Sequence, residues 1–284
     1  MSDFLYLFKI TISMNCSRLN YKRHIMNIRY LIISSVISLS TLSTICCSKP
    51  LSQLNNTQSE SSEIYEQGGK YFLGKEVPKD YSKAFSYFKK AAEKGLPIAQ
   101  NDLAGIYLKG IGTQKSEEKA YYWYEKAAKN DFPEAQYNMG LMYDNGYYVS
   151  KNRSKALEFY KLAAHQGYAK AQYNLANAYL SGNGVQKDIN LALELYKKAA
   201  DQNLSEAQYN LANIYSDGSL VKQDNKKALE LYTQVAEKGI PEAQNNLAYM
   251  YANVYSDYEN AKFWFKKAAD NGYEPAKEAL DQFQ

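Results

Sequence analysis

The pair Ala-Gln recurs at Ala99-Gln100, Ala135-Gln136, Ala171-Gln172, Ala207-Gln208 and Ala243-Gln244, always 36 residues apart. A fixed period of this size marks a solenoid. One supersecondary unit, too small to bury its own apolar face, is copied and stacked. Further columns keep the period. Tyr71, Tyr107, Tyr143, Tyr179, Tyr215 and Tyr251 fill one without exception. Gly74, Gly110, Gly146, Gly182 and Gly218 fill a second, which ends at Val254. Asp80, Ser116, Asn152, Asp188 and Asp224 fill a third, and Ala92, Ala128, Ala164, Ala200 and Ala236 a fourth.

These columns predict a helix–turn–helix. A first helix from about Ala171 to Leu180 places Ala171, Leu175, Ala178 and Tyr179 on one face. Gly182 follows where a left-handed residue closes a helix. Asp188 supplies a side-chain oxygen to cap the next helix, as do the other members of its column. That second helix buries Ala192, Tyr196, Ala199 and Ala200. Pro97, Pro133 and Pro241 stand near the start of the following unit, where proline is tolerated. The final unit loses the glycine loop, but Asp257 keeps a cap and Trp264, Phe265, Ala268 and Ala269 keep a core. A closing helix is expected from Pro275 to Phe283. Glu63-Ile64 replaces Ala-Gln in the first unit, which suits a terminal repeat.

The unit A-x-x-x-L-A-x-x-Y-x-x-G-x-G-V-x-x-D-x-x-x-A-x-x-x-Y-x-K-A-A, complete between Ala171 and Ala200, resembles the Sel1-like repeat, a relative of the tetratricopeptide repeat. The resemblance covers residues 63 to 284, with units starting near 63, 99, 135, 171, 207 and 243. It implies an all-α, right-handed α/α solenoid of about six 36-residue repeats, used as a binding scaffold and usually without catalysis. Some secreted members pin each repeat with a cysteine pair and are linked to β-lactam or cell-wall binding. The cysteines of this chain, Cys16, Cys46 and Cys47, all precede the repeats, so that activity is not carried over.

Residues 1–47 are expected to form an extension plus a signal segment. From Met26 the chain resembles a secretory signal: Arg29 is basic, Tyr30 to Ile45 is uncharged and mostly apolar, and Cys46, Cys47 and Ser48 are small. Translation is expected to start at Met26 rather than at Met1 or Met14. The apolar run of 16 residues is short for a membrane span, which needs about 20, so cleavage is preferred to a retained anchor. Cysteine at the end of the run resembles a bacterial lipoprotein signal. Cys46 and Cys47 are the candidates for lipidation, and cleavage after Ser48 is the alternative. Residues 48–62, polar and without aromatics, read as a flexible tether to the repeat domain.

The net charge of +4 belongs to this segment, because six basic residues against Asp3 give the first 50 residues +5 and leave about −1 for the rest. Nucleic acid is therefore not an expected partner. Catalytic signals are sparse. His165 falls in an exposed column, and no His, Cys or carboxylate spacing fits a metal, so neither cofactor nor metal is expected. Gly182-Asn183-Gly184 follows a helix and lacks a Gly-Lys-Ser/Thr, so it is no phosphate cradle. No carboxylate stands in an apolar context that would raise its pKa.

The remaining candidate is a binding face on the first helices, turned away from Ala171 and Leu175. Tyr137, Tyr173, Tyr209 and Asn245 form one row, and Leu141, Asn177, Asn213 and Tyr249 a second. Asn138, Asn174, Asn210 and Asn246 flank them. Tyrosine offers apolar area with one hydroxyl, and asparagine both donates and accepts, so the face suits a peptide. The competing reading packs the tyrosines as core and makes Asn174 and Asn210 ties between repeats. The expected function is a non-enzymatic scaffold, exported to the bacterial envelope, that binds a protein or peptide on its concave face. The alternative is a cell-wall or glycan-binding protein, or a weak envelope hydrolase.

Overall fold

The computed structural model describes residues 51–281, with side chains from Ser59 onward. The proposed signal segment with Cys46 and Cys47 lies outside the described residues, as do the closing residues Gln282 to Gln284. Residues from Asn55 onward form one compact unit. Among the described residues there are helices and no strands. They are α1 (Leu51–Leu73), α2 (Tyr81–Glu93), α3 (Pro97–Lys109), α4 (Glu117–Lys129), α5 (Pro133–Asn145), α6 (Arg153–His165) and α7 (Ala169–Ser181). Then follow α8 (Ile189–Ala200), α9 (Ser205–Asp217), α10 (Asn225–Glu237), α11 (Pro241–Asn253), α12 (Tyr258–Asp270) and α13 (Glu274–Asp281). Each packs against its neighbours in sequence, so the chain is an α-solenoid of hairpins. Odd-numbered helices carry the Tyr71 column and even-numbered ones the alanine column.

The local chemistry joins two of the columns. Each capping side chain accepts from the third helical N–H, as Asp188 Oδ1 does from Leu191 N at 3.0 Å. The N–H of the same capping residue donates to the tyrosine carbonyl of the preceding helix: Asp80 to Tyr71, Ser116 to Tyr107, Asn152 to Tyr143, Asp188 to Tyr179 and Asp224 to Tyr215, all at 2.9–3.0 Å. The lysine at the third helical position then lies over the tyrosine ring, as Lys83 does over Tyr71, Lys119 over Tyr107, Lys155 over Tyr143 and Lys227 over Tyr215. Gly182 closes α7 at φ +75°, and the other glycines of its column do likewise. At Val254 the backbone instead keeps φ −99°, which a side chain tolerates.

The glutamine of the recurring Ala-Gln pair is buried in every copy. Its Nε2 donates to a carbonyl in the last turn of the preceding even helix: Gln100 to Ala92, Gln136 to Ala128, Gln172 to Ala164, Gln208 to Ala200 and Gln244 to Ala236, at 3.0–3.4 Å. Those carbonyls lack an intrahelical donor. The amide oxygen meanwhile accepts from the end of the next even helix: from Asn130, Gln166, Gln202, Lys238 and Asn271 in turn. One side chain thus ties three helix ends across a repeat boundary.

The structure moves some expected boundaries. Odd helices start two residues earlier than Ala171 implies, at Ala169 and its equivalents, with Pro97, Pro133 and Pro241 at the first helical position. Most of the expected tether 48–62 lies inside α1, which runs unbroken to Leu73. Its polar composition hid a helix that is ordered by docking: Phe72 packs edge-on to Phe88, and Tyr65 packs against Phe88. The closing helix spans Glu274–Asp281 and buries Ala276 and Ala279.

Gly140 of α5 takes the place of the alanines Ala104, Ala176, Ala212 and Ala248. A Cβ there would lie 2.4 Å from Cε1 of the fully buried Tyr160. Gly69 of α1, by contrast, has nothing within 4 Å of such a Cβ. Thermal melts should therefore split the two substitutions. Gly140→Ala is expected to lower Tm through overpacking worth about 1–3 kcal/mol. Gly69→Ala should raise it by the roughly 0.5–1 kcal/mol of helix propensity.

Candidate functional site

The candidate residues come together on the odd helices, but they are bound into the scaffold more tightly than a single-helix projection implies. Tyr137, Tyr173 and Tyr209 are half-buried. Their rings contact Tyr160, Tyr196 and Tyr232 of the following even helix, with centroids 5.7, 6.0 and 6.0 Å apart. Burial pushes the hydroxyls of Tyr137 and Tyr209 up, and that of Tyr232 up to about 12. The expectation that this row faces away from the core is corrected accordingly. A helical wheel has one axis, and the even helix arrives on a second side.

The asparagines are ties between repeats. Asn138 Nδ2 donates to Asn101 Oδ1 at 2.9 Å, Asn210 to the Tyr173 hydroxyl at 3.4 Å and Asn246 to the Tyr209 hydroxyl at 3.1 Å. Asn174 bonds the hydroxyls of Tyr137 and Tyr160. Within a repeat, Asn177 accepts from Tyr196 and Asn213 from Tyr232. Leu141 is half-buried in the same column. Asn245, expected on the surface, is 5% exposed, and its Oδ1 has no hydrogen-bond partner among the described residues. Tyr249 does reach solvent, at 44% exposure, with its ring edge-on to Phe265 at 4.9 Å. His165 is exposed, as expected.

At the N-terminal end this face opens into a pocket of about 490 Å³. Phe72, Phe88, Ile106 and Ile111 give it an apolar wall, and Asn101, Asp102, Glu134 and Asn138 a polar one. Its polar wall is built from successive repeats. Tyr65 of α1 donates its hydroxyl to Asp102 Oδ2 of α3 at 2.6 Å. Burial first, and this bond second, push the Tyr65 hydroxyl well above its ordinary range. Asn101, 4% exposed, donates to Asp102 Oδ1 at 3.3 Å. Glu134, at the start of α5, is open to solvent on one side. Partial loss of hydration on the other, then the charge of Asp102, raise its carboxyl above the usual range, against the Asn101 hydrogen bond and Lys170. The expectation that no carboxylate stands where its pKa would rise fails here, because partial burial in the fold, and after it a charge from another repeat, act on Glu134.

Within the described residues, no helix is long and apolar enough to cross a membrane. Nor does any group of three or more His, Cys, Asp or Glu stand where it could hold a metal ion.

Six stretches, residues 68–96, 97–132, 133–168, 169–204, 205–240 and 241–273, match the Sel1 repeat, and five begin where an odd helix begins. A Sel1 repeat protein from Oxalobacter formigenes is similar over 74% of this chain and 87% of its own, at 33% identity and a TM-score of 0.69. c5321, a protective antigen present in uropathogenic Escherichia coli strains and displaying an SLR fold, is similar over 78% of this chain at 31% identity and a TM-score of 0.70. The chain spans about half of the length of c5321, 48%. The immunity protein Pa5087 from Pseudomonas aeruginosa, 23% identical over 76% of this chain with a TM-score of 0.50, shares the fold. No curated protein matches the chain. With the repeats matched over most of its length, the chain belongs to the Sel1 repeat family.

Proposed function

We propose that the protein is a non-enzymatic scaffold, exported to the bacterial envelope, that binds a protein or peptide along the face of its odd helices. Sel1 repeats and their solenoid support protein–protein interaction in general. The observation that carries the narrower reading is the row of half-exposed tyrosines, Tyr137, Tyr173 and Tyr209, held in register by asparagines and by rings of the even helices. A partner meets large amphipathic side chains whose ordering is already complete, so little conformational entropy opposes association. The same bonds mean that Tyr173 and Tyr209 serve packing as well as any contact. Tyr249 is the better reporter position because it is exposed on the same face.

Export rests on the apolar run from Tyr30 to Ile45 and on the small residues after it, with Cys46 or Cys47 carrying a lipid.

A photo-crosslinking amino acid placed at Tyr249 should yield a discrete adduct in cells. The same group at Leu162, exposed on an even helix, should not. No adduct at Tyr249, or equal adducts at both positions, would contradict the reading. For the anchor, metabolic labelling with palmitate should mark the parent chain and fail for a Cys46→Ser/Cys47→Ser double variant. Unlabelled parent protein would remove the lipid from the account.

A further inference from the structure

The pocket at the N-terminal end of the odd-helix face holds two carboxylates, Asp102 and Glu134, beside an apolar lining. Ion pairs among the described residues include Arg153 with Asp144, at 2.6 Å, and nine that involve lysines. None of them involves Asp102 or Glu134. Asp102 is held by two neutral donors, Tyr65 and Asn101. Loss of hydration first, and the charge of Asp102 second, raise the Glu134 carboxyl above its usual range. Glu206 and Glu242, which share the column of Glu134, act electrostatically on Tyr137 and Tyr209. Lys109 also lines the pocket, and the charge of Lys170 acts on Glu134, but neither lysine forms an ion pair among the described residues.

The shape selects among cations. Phe72, Phe88, Ile106 and Ile111 line the same cavity of about 490 Å³ as the two carboxylates. A metal ion would leave that apolar lining bare. An aliphatic stem ending in a positive head covers both surfaces at once, the arrangement that lysine and arginine adopt where apolar surface meets charge.

We propose that this pocket takes the lysine or arginine side chain of a partner polypeptide, with its stem on Phe72, Phe88 and Ile106 and its charged head between Asp102 and Glu134. The proposal rests on the reading of the odd-helix face as a binding surface and names the chemistry of its occupant. The carboxylates gain a charge-assisted hydrogen-bond partner. The repulsion between them, which the free protein retains, is relieved on binding. Two carboxylates with no ion-pair partner among the described residues, set beside an apolar lining, leave a place that a cationic side chain completes.

The test uses the full chain and N-acetylated, C-amidated tetralysine carrying a fluorophore, titrated by anisotropy at low ionic strength. Tetralysine should bind, and peptides of acetyl-lysine or glutamate should not. Asp102→Asn with Glu134→Gln should weaken tetralysine about tenfold or more, the scale of one lost charged hydrogen bond. Its Tm should equal or exceed that of the parent, because a repulsion is removed. Glu206→Gln with Glu242→Gln should weaken binding by less. Glu134→Lys should shift preference toward tetraglutamate. Equal affinity of the parent and the Asp102→Asn/Glu134→Gln variant, or binding of acetyl-lysine as tight as that of lysine, would overturn the proposal. So would 1,5-diaminopentane bound as tightly as tetralysine, since a free diamine would then be the occupant. If adducts at Tyr249 persist while tetralysine ignores the pocket, this inference fails and the reading of the face stands.

Discussion

The side-chain amide of a buried glutamine is the joint on which each repeat turns. Alanine-lined helix contacts bring the hairpins close, but alanine against alanine offers little to fix one helix at one height on another. Gln172 supplies that fix. It donates to Ala164 at the end of one repeat and accepts from Gln202 at the end of its own. Buried polar groups of this kind are costly when half-satisfied and specifying when complete. The pattern recurs through Gln244, where a three-residue shortening of the last repeat moves the donor to Asn271 without losing the bond. A repeat therefore finishes its own hydrogen bonding only when its neighbour is in place, which is how a quasi-one-dimensional protein acquires cooperativity.

The same economy shapes the binding face. Asn138, Asn174, Asn210 and Asn246 look like free recognition groups, yet each spends hydrogen-bonding capacity on a neighbouring repeat. What is left for a partner is the outer half of each tyrosine, the open ring of Tyr249 and the pocket at one end. The pocket exists because α1 ends the stack differently from an inner helix. Phe72 lines it, and Asp102, which replaces the asparagine found at 138, 174, 210 and 246, takes the Tyr65 hydroxyl.

Much of the fold was legible because it is written in single-residue chemistry at a fixed period. Asp188, Gly182 and Tyr179 each announce a cap, a stop and a packed face, and each does so in the structure. Gln172 was visible as a marker of phase but not as a bond, since its acceptor lies eight residues upstream on another helix. Asn245 was misplaced because the wheel of α11 shows nothing of its neighbours. Residues 51–62 read as tether because their composition is polar, whereas their helix is stabilised by the docking of its far end. Glu134 gave no signal because neither its loss of hydration nor the charge of Asp102, 32 positions away, shows in the residues beside it in sequence. Periodicity exposes what every repeat shares. What one repeat does to the next must be seen.

The most direct measurement is a thermal melt combined with amide hydrogen exchange on Gln172→Leu, a near-isosteric change that deletes both ties. The account predicts a loss of about 1–3 kcal/mol, the net worth of two intramolecular hydrogen bonds, with protection falling in α6, α7 and α8 together. An unchanged melt, or loss of protection confined to α7, would show that alanine packing alone holds the repeats and that the glutamine is a passenger.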